Sequence, residues 1–254
     1  RPGSFCWADV AAENAGEAKK FYTDIFGWET FEEPTETGMI YTMFTVNGKP
    51  VAALYELNDQ MKEMNIPPHW MPYVSVEDAD ETVKKAKEAG GRVDMDPMDV
   101  MEYGRSAYIT DPDNGMVSVW QPKEHIGAGL LYGPGAISWN EFAGHDIDKA
   151  IPFYEKLFNW KSKTDKMGEM DYTSFYKDDF MAAGMYQLPP EMKDIPSHWL
   201  TYFGIEDIDK AIQKVEDHDG TILMPKTSVP DIGDVAVVRD PQGAVFGLWQ
   251  KTDQ

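Results

Sequence analysis

The chain has 254 residues, 23 basic against 44 acidic, for a formal net charge of -21. That charge repels nucleic acid and anionic membrane surfaces, and no apolar run approaches the roughly 20 residues of a membrane-spanning helix, so neither nucleic acid nor membrane is expected as a partner. A lone cysteine, Cys6, allows no intrachain disulfide framework, and Arg1 to Ser4 lead into a strand-like stretch without a signal-peptide core; both point to a cytoplasmic home.

In chain order, Phe5 to Val10 reads as a strand and Glu13 to Phe26 as a helix, with Ala18, Phe21, Tyr22, Ile25 and Phe26 at helical spacing. Strands are expected at Met39 to Val46 and Pro50 to Leu57, joined by the hairpin turn Asn47-Gly48. The same order then recurs. A strand at Trp70 to Val76 precedes a helix at Ala79 to Ala89, closed by Gly90-Gly91, and strands follow near Arg105 to Ile109 and Met116 to Gln121.

Pro122 to Pro134, with Gly127, Gly129 and Gly133, reads as a connector to a second copy of everything before it. All eight tryptophans fall into pairs. Trp7 and Trp139, like Trp28 and Trp160, lie 132 residues apart, whereas Trp70 and Trp199, like Trp120 and Trp249, lie 129 apart. Tyr41 with Tyr172 and Tyr55 with Tyr186 match at 131, so the second copy has lost three residues in loops. Phe21-Tyr22 with Phe153-Tyr154, His69 with His198, and Asp111-Pro112 with Asp240-Pro241 complete the match. The expected organisation is two domains, 1–122 and 135–254, joined by a linker at 123–134, each built from two βα-modules.

A Phe-Tyr pair midway through the first helix, followed by Phe-Gly-Trp or Phe-Asn-Trp, resembles the vicinal oxygen chelate superfamily. Glyoxalase I, bleomycin-resistance proteins and extradiol dioxygenases are members. Val76-Glu77-Asp78, Gly90-Gly91 and the Asp-Pro turns add to the likeness, which covers nearly the whole chain. Cys6-Trp7-Ala8-Asp9 and Ser138-Trp139-Asn140-Glu141 resemble the tandem glyoxalase-like proteins labelled hydroxylases or lyases. The resemblance implies an α+β fold of tandem domains, each with two βαβββ modules whose curled mixed sheets form half-barrel cups that hold a ligand.

Metal-dependent members hold a divalent ion with His, Glu or Gln from the first and last strands of their modules, and such a site needs about three or four converging N or O ligands. Aligned here, those positions fall on Trp7, Ala53, Met71 and Ser118 in the first copy and on Trp139, Gly184, Leu200 and Gly247 in the second. None is a usual ligand, so no metal cofactor is expected. One pleat away, Asp9, Glu141, His69 and His198 share the same strand face and leave open a relocated divalent site. Histidines at loop-to-strand entries are also common hydrogen-bonded rim residues.

Trp7, Trp120, Trp139 and Trp249 are expected to line an aromatic cup suited to a flat organic ligand, or else to plug the half-barrels as core. Tyr41, Tyr103 and Arg105 join them as candidate ligand-binding residues, together with His69 and His198. Arg105 can reach an anionic or carbonyl group or pair with a surface acid; Ile232-Gly233-Asp234 lacks it in the second copy. The leading expectation is a metal-independent protein binding a small, aromatic organic molecule. The alternative is a lyase, isomerase or hydroxylase of glyoxalase-like descent that transfers protons through Asp9 or Glu141 or uses the relocated metal. Because the tandem chain supplies its own pseudo-twofold partner, a monomer or weak homodimer is expected.

Overall fold

The computed structural model describes residues 1–35 and 38–252. The first copy runs β1 (Phe5–Ala12), α1 (Ala15–Phe26), β2 (Glu29–Pro34), β3 (Ile40–Val46), β4 (Lys49–Glu56), a short α2 (Asp59–Glu63), β5 (His69–Ser75), α3 (Ala79–Glu88), β6 (Arg92–Val100), β7 (Gly104–Thr110) and β8 (Met116–Pro122). The second runs β9 (Ile137–Gly144), α4 (Ile147–Phe158), β10 (Lys161–Met167), β11 (Met170–Lys177), β12 (Phe180–Gln187), a 3-10 turn (Pro190–Met192), β13 (His198–Gly204), α5 (Ile208–Asp217), β14 (Thr221–Val229), β15 (Gly233–Arg239) and β16 (Val245–Lys251). The strands form two mixed eight-stranded sheets, ordered β2-β3-β4-β1-β5-β8-β7-β6 and β10-β11-β12-β9-β13-β16-β15-β14. This is the α+β architecture of tandem modules expected from the sequence. No helix among the described residues is long and apolar enough to cross a membrane.

The local signals act as their chemistry requires. Asn14 caps α1 by accepting from the Glu17 amide, Asp78 caps α3 through Glu81, and Asp207 caps α5 through Lys210. Gly27 ends α1 in the left-handed conformation, φ 69°. Asn47 and Gly48 both have positive φ, 50° and 72°, as a tight hairpin turn demands. The strands absent from the sequence reading are β2 and β6, with their matches β10 and β14. They end the order of each sheet, are largely exposed and carry charges such as Glu29, Glu32 and Asp99, so no apolar alternation announces them.

Packing divides the chain into two compact units, each drawing modules from both copies. One comprises Arg1–Cys6, Pro72–Gly127 and Asn140–Leu200; the other comprises Trp7–Met71, Ala128–Trp139 and Thr201–Gln254. In the first, α3 packs on α4 above a core that includes Val74, Ile109, Val119, Phe142, Phe153 and Met185. In the second, α1 packs on α5 above Val10, Phe44, Leu54, Phe203, Phe246 and Leu248.

Each core contains the same buried hydrogen-bond relay. The Trp70 indole N–H donates to the Tyr22 hydroxyl at 3.0 Å, and Tyr22 donates to Asp240 at 2.7 Å. Trp199 donates to Tyr154 at 2.7 Å, and Tyr154 to Asp111 at 2.6 Å. The carboxylates also accept backbone amides of their Asp-Pro turns, from 242, 243 and 244 to Asp240 and from 113 and 115 to Asp111. Burial, reinforced by the adjacent carboxylate, pushes both phenols well above the usual tyrosine range, which keeps them neutral donors. The Phe-Tyr and Asp-Pro marks of the sequence therefore meet across modules of different copies.

Candidate functional site: two tyrosine–carboxylate clusters

Strand alternation sorts the residues of β1. Ala8, Val10 and Ala12 enter the helix-covered core, so Trp7, Asp9 and Ala11 occupy the opposite face. There the Trp7 indole donates to the Tyr41 hydroxyl at 3.0 Å, and Tyr41 donates to an Asp9 carboxylate oxygen at 2.8 Å. Asp9 pairs in parallel register with Ala53, and Tyr41 lies opposite Tyr55 on β4. Asp9 is only 3% exposed. Tyr55, Ala11 and Leu57 form a small apolar cluster against which Tyr41, Met61 and Ile66 pack.

The second copy repeats the device with different atoms. Glu141 pairs in register with Gly184, Tyr172 lies opposite Tyr186, and the Tyr172 hydroxyl donates to Glu141 at 2.9 Å. A β-carbon on Gly184 would stand 1.8 Å from the Tyr172 oxygen, so the missing side chain makes room for the phenol. Burial, and then the Glu141 charge, push the Tyr186 phenol up to about 12. Asp9 opposite alanine and Glu141 opposite glycine thus reach the same tyrosine contact by exchanging one methylene between facing strands.

The second modules carry hydroxyls where the first carry carboxylates. Tyr73 pairs in register with Ser118, and Tyr202 with Gly247. Ser106 and Ser118 are joined at 3.1 Å, the Tyr73 and Tyr108 hydroxyls lie 3.5 Å apart, and Trp120 meets Tyr73 edge to face. The Tyr202 ring overlies Gly247, where a β-carbon would stand 2.1 Å from it.

The remaining candidates fall into supporting positions. Trp120 donates to the carbonyl of His125 and Trp249 to that of Ile232, while Trp139 is half-buried. The Tyr103 carbonyl accepts the amides of Lys123 and His125, which ties down the connector. The His69 and His198 imidazoles each bond a carbonyl two residues back, Pro67 and Pro196, at 2.8 Å, and burial pushes both below the ordinary histidine range. Arg105 makes a two-pronged pair with Asp80 at 2.7 and 3.0 Å and reaches Asp99 at 3.3 Å. Of the candidates, Trp7, Tyr41 and Asp9 come together in one chain of hydrogen bonds. Tyr55, Tyr172 and Tyr186 complete the clusters without having been singled out; their pairing at a shift of 131 residues was the available signal.

A divalent ion does not fit this donor set. Each register pair offers one carboxylate at most, Asp9 opposite Ala53 and Glu141 opposite Gly184, against the three or so N or O ligands such a site requires. Among the described residues no group of three or more His, Cys, Asp or Glu side chains could hold a metal.

Comparison with known proteins agrees with this architecture. The chain is 34% identical, over all of its length and 97% of the relative's, to "Putative glyoxylase CFP32" of Mycobacterium bovis, and 30% identical, over 97% and 93%, to "Anthracycline biosynthesis protein DauV" of Streptomyces sp. strain C5. Its fold matches an Mn(II)-bound glyoxalase from Novosphingobium aromaticivorans, with TM-score 0.65 and 14% identity over all of this chain and 83% of that one. It also matches 2,2',3-trihydroxybiphenyl 1,2-dioxygenase from Sphingomonas wittichii, with TM-score 0.66 and 12% identity over 98% and 91%. The model of the Glyoxalase/Bleomycin resistance protein/Dioxygenase superfamily matches twice, over residues 5–119 and 136–248, and the chain belongs to that superfamily.

Proposed function

We propose that this chain is a metal-independent member of its superfamily that binds a small, flat organic molecule at a tyrosine–carboxylate cluster. The observation that carries the reading is the pair of matched contacts, Tyr41 to Asp9 and Tyr172 to Glu141, on the strand faces opposite the helices. A phenol donor, a carboxylate acceptor and aromatic walls suit a planar ligand with a few polar groups. The relative named for the biosynthesis of anthracyclines, which are fused-ring aromatic compounds, supports a ligand of that shape. The charge of -21 favours a small molecule over nucleic acid or an anionic membrane.

The test combines two measurements on protein purified without chelator. Metal analysis is expected to find no stoichiometric transition metal, and a thermal-shift screen is expected to find aromatic compounds that raise the melting temperature, since a ligand of the folded state must do so. A stoichiometric ion, or silence from a broad aromatic panel, overturns the reading. The same contacts favour a second one, an isomerase or lyase in which Asp9 or Glu141 accepts a proton while the tyrosine hydroxyl holds the substrate oxygen. Turnover abolished by Asp9→Asn or Glu141→Gln would distinguish it from binding alone.

A further inference from the structure

We propose that the two clusters have diverged, so that Glu141 and Tyr172 of the second copy engage the ligand through a neutral hydroxyl on an aromatic ring, while Asp9 and Tyr41 of the first form an internal plug. The inference rests on the binding function proposed above and assigns it to one copy and one ligand chemistry.

The first cluster is the more deeply buried of the two. Asp9 is 3% exposed, the Tyr41 oxygen both donates to Asp9 and accepts from Trp7, and Met61 and Ile66 pack on its apolar side. In the second, Glu141 and Tyr186 are half-buried where Asp9 and Tyr55 are buried, while Tyr172 and Tyr41 are both half-buried. The residues matching Met61 and Ile66 are Met192 and Ile195, which are 46% and 41% exposed rather than packed down. The methyl of Ala53 is absent at Gly184, and its space holds the Tyr172 hydroxyl. The carboxylate of this device and the tyrosine facing it across the strands are therefore more exposed in the second copy than in the first.

The more exposed version states what it can recognise. A carboxylate offers about four acceptor positions, so Glu141 has the chemistry to accept a ligand O–H. The Tyr172 and Tyr186 rings, opposite each other on neighbouring strands, supply the flat walls. The Glu141 charge already disfavours ionisation of Tyr186 and disfavours an anionic ligand in the same way. A neutral aryl hydroxyl satisfies all three conditions; an aryl carboxylate fails the last.

The experiment titrates 1-naphthol, naphthalene and 1-naphthoic acid against the full chain, read by ligand-observed NMR. 1-Naphthol is expected to bind and the acid to bind at least about tenfold more weakly, the ratio corresponding to one lost charge-assisted hydrogen bond. Glu141→Gln and Tyr172→Phe should each weaken naphthol about tenfold or more, and Tyr41→Phe should lower the melting temperature without changing naphthol affinity. Naphthol affinity unchanged by Glu141→Gln and Tyr172→Phe, or reduced equally by Tyr41→Phe, overturns the assignment and leaves the broader binding function standing. No binding by any of the three overturns the assignment, whereas the broader binding function falls only with silence from the whole aromatic panel. Should Glu141→Gln fail to fold, the ring signals of 13C-labelled tyrosines in the unaltered protein decide. Naphthol must shift Tyr172 and Tyr186 and leave Tyr41 in place, and the reverse pattern sinks the proposal.

Discussion

The Tyr172 hydroxyl stands where a side chain on Gly184 would begin, 1.8 Å from the position of its β-carbon. In the first copy Ala53 fills the matching place, and the shorter Asp9 compensates opposite it. Gly184→Ala should therefore displace Tyr172 and destabilise the protein by about 1–3 kcal/mol, as overpacking generally does. For a chain of this size that is a fall in melting temperature of roughly 2–12 °C, measurable by differential scanning calorimetry. In a Tyr172→Ala background the same substitution should be nearly neutral, because the ring it strikes is gone. An unchanged melting temperature in the single variant would show that the tyrosine has another place to go.

The two tryptophan–tyrosine–aspartate relays predict a matched pair of losses. Tyr22→Phe leaves the Trp70 N–H and one Asp240 oxygen without their partner, and Tyr154→Phe does the same to Trp199 and Asp111. Each stranded buried group costs about 1–3 kcal/mol, far more than the small change in ring size. Urea denaturation of both variants should show lower midpoints. Because the relays lie in separate cores, the double variant should lose about the sum.

What the sequence made legible is what burial dictates. Tryptophan pairs, Phe21-Tyr22 with Phe153-Tyr154, and the Asp-Pro turns stood out because large or special residues at fixed spacing have few places to go. Among them, Trp70, Tyr22 and Asp240, and Trp199, Tyr154 and Asp111, turned out to be the relay members. The edge strands were silent because β2 and β10 bury almost nothing, and charge there protects an edge rather than marking a core. Asp9 and Glu141 could be placed on the strand face opposite the core by alternation alone. Their partners could not, since Tyr41 and Tyr172 approach from another strand whose register depends on a bulge at residues 44–45 and 175–176. Arg105 drew notice as a lone cation after a glycine, yet the residue that decides its role, Asp80, sits on a helix 25 positions earlier.

Asp111 gives a prediction in pH. Burial, opposed by the Tyr154 hydrogen bond and the turn amides, raises its carboxyl from 3.8 to about 6. A folded-state value above the unfolded one means that the folded protein holds the proton more tightly, so this group's contribution is full below about pH 4 and is lost as pH rises through 6. Two pKa units correspond to about 3 kcal/mol as an upper figure. Removing the titration with Asp111→Asn should therefore flatten the stability profile between pH 4 and 7. The stability of the variant relative to the unaltered protein should improve across that interval. Parallel profiles for the two proteins, from urea midpoints at each pH, would contradict this.

Arg105 tests the boundary of the site. Its guanidinium is held by Asp80 and Asp99, both largely exposed; the Arg105 contact draws Asp80 below the usual carboxylate range, and Lys123 with Arg105 does the same to Asp99. Exposed pairs of this kind contribute about 0–1 kcal/mol because water screens them and ordering the side chains opposes them. Arg105→Ala should accordingly leave affinity for an aromatic ligand unchanged, shift the melting temperature by no more than a few degrees, and make the small remaining loss disappear in high salt. The geometry behind that expectation is direct, since a bidentate grip on Asp80 points the planar donor fork at a carboxylate on helix α3. Loss of ligand affinity in Arg105→Ala at constant stability would mean that the arginine leaves Asp80 when ligand arrives, and would extend the recognition surface to β7.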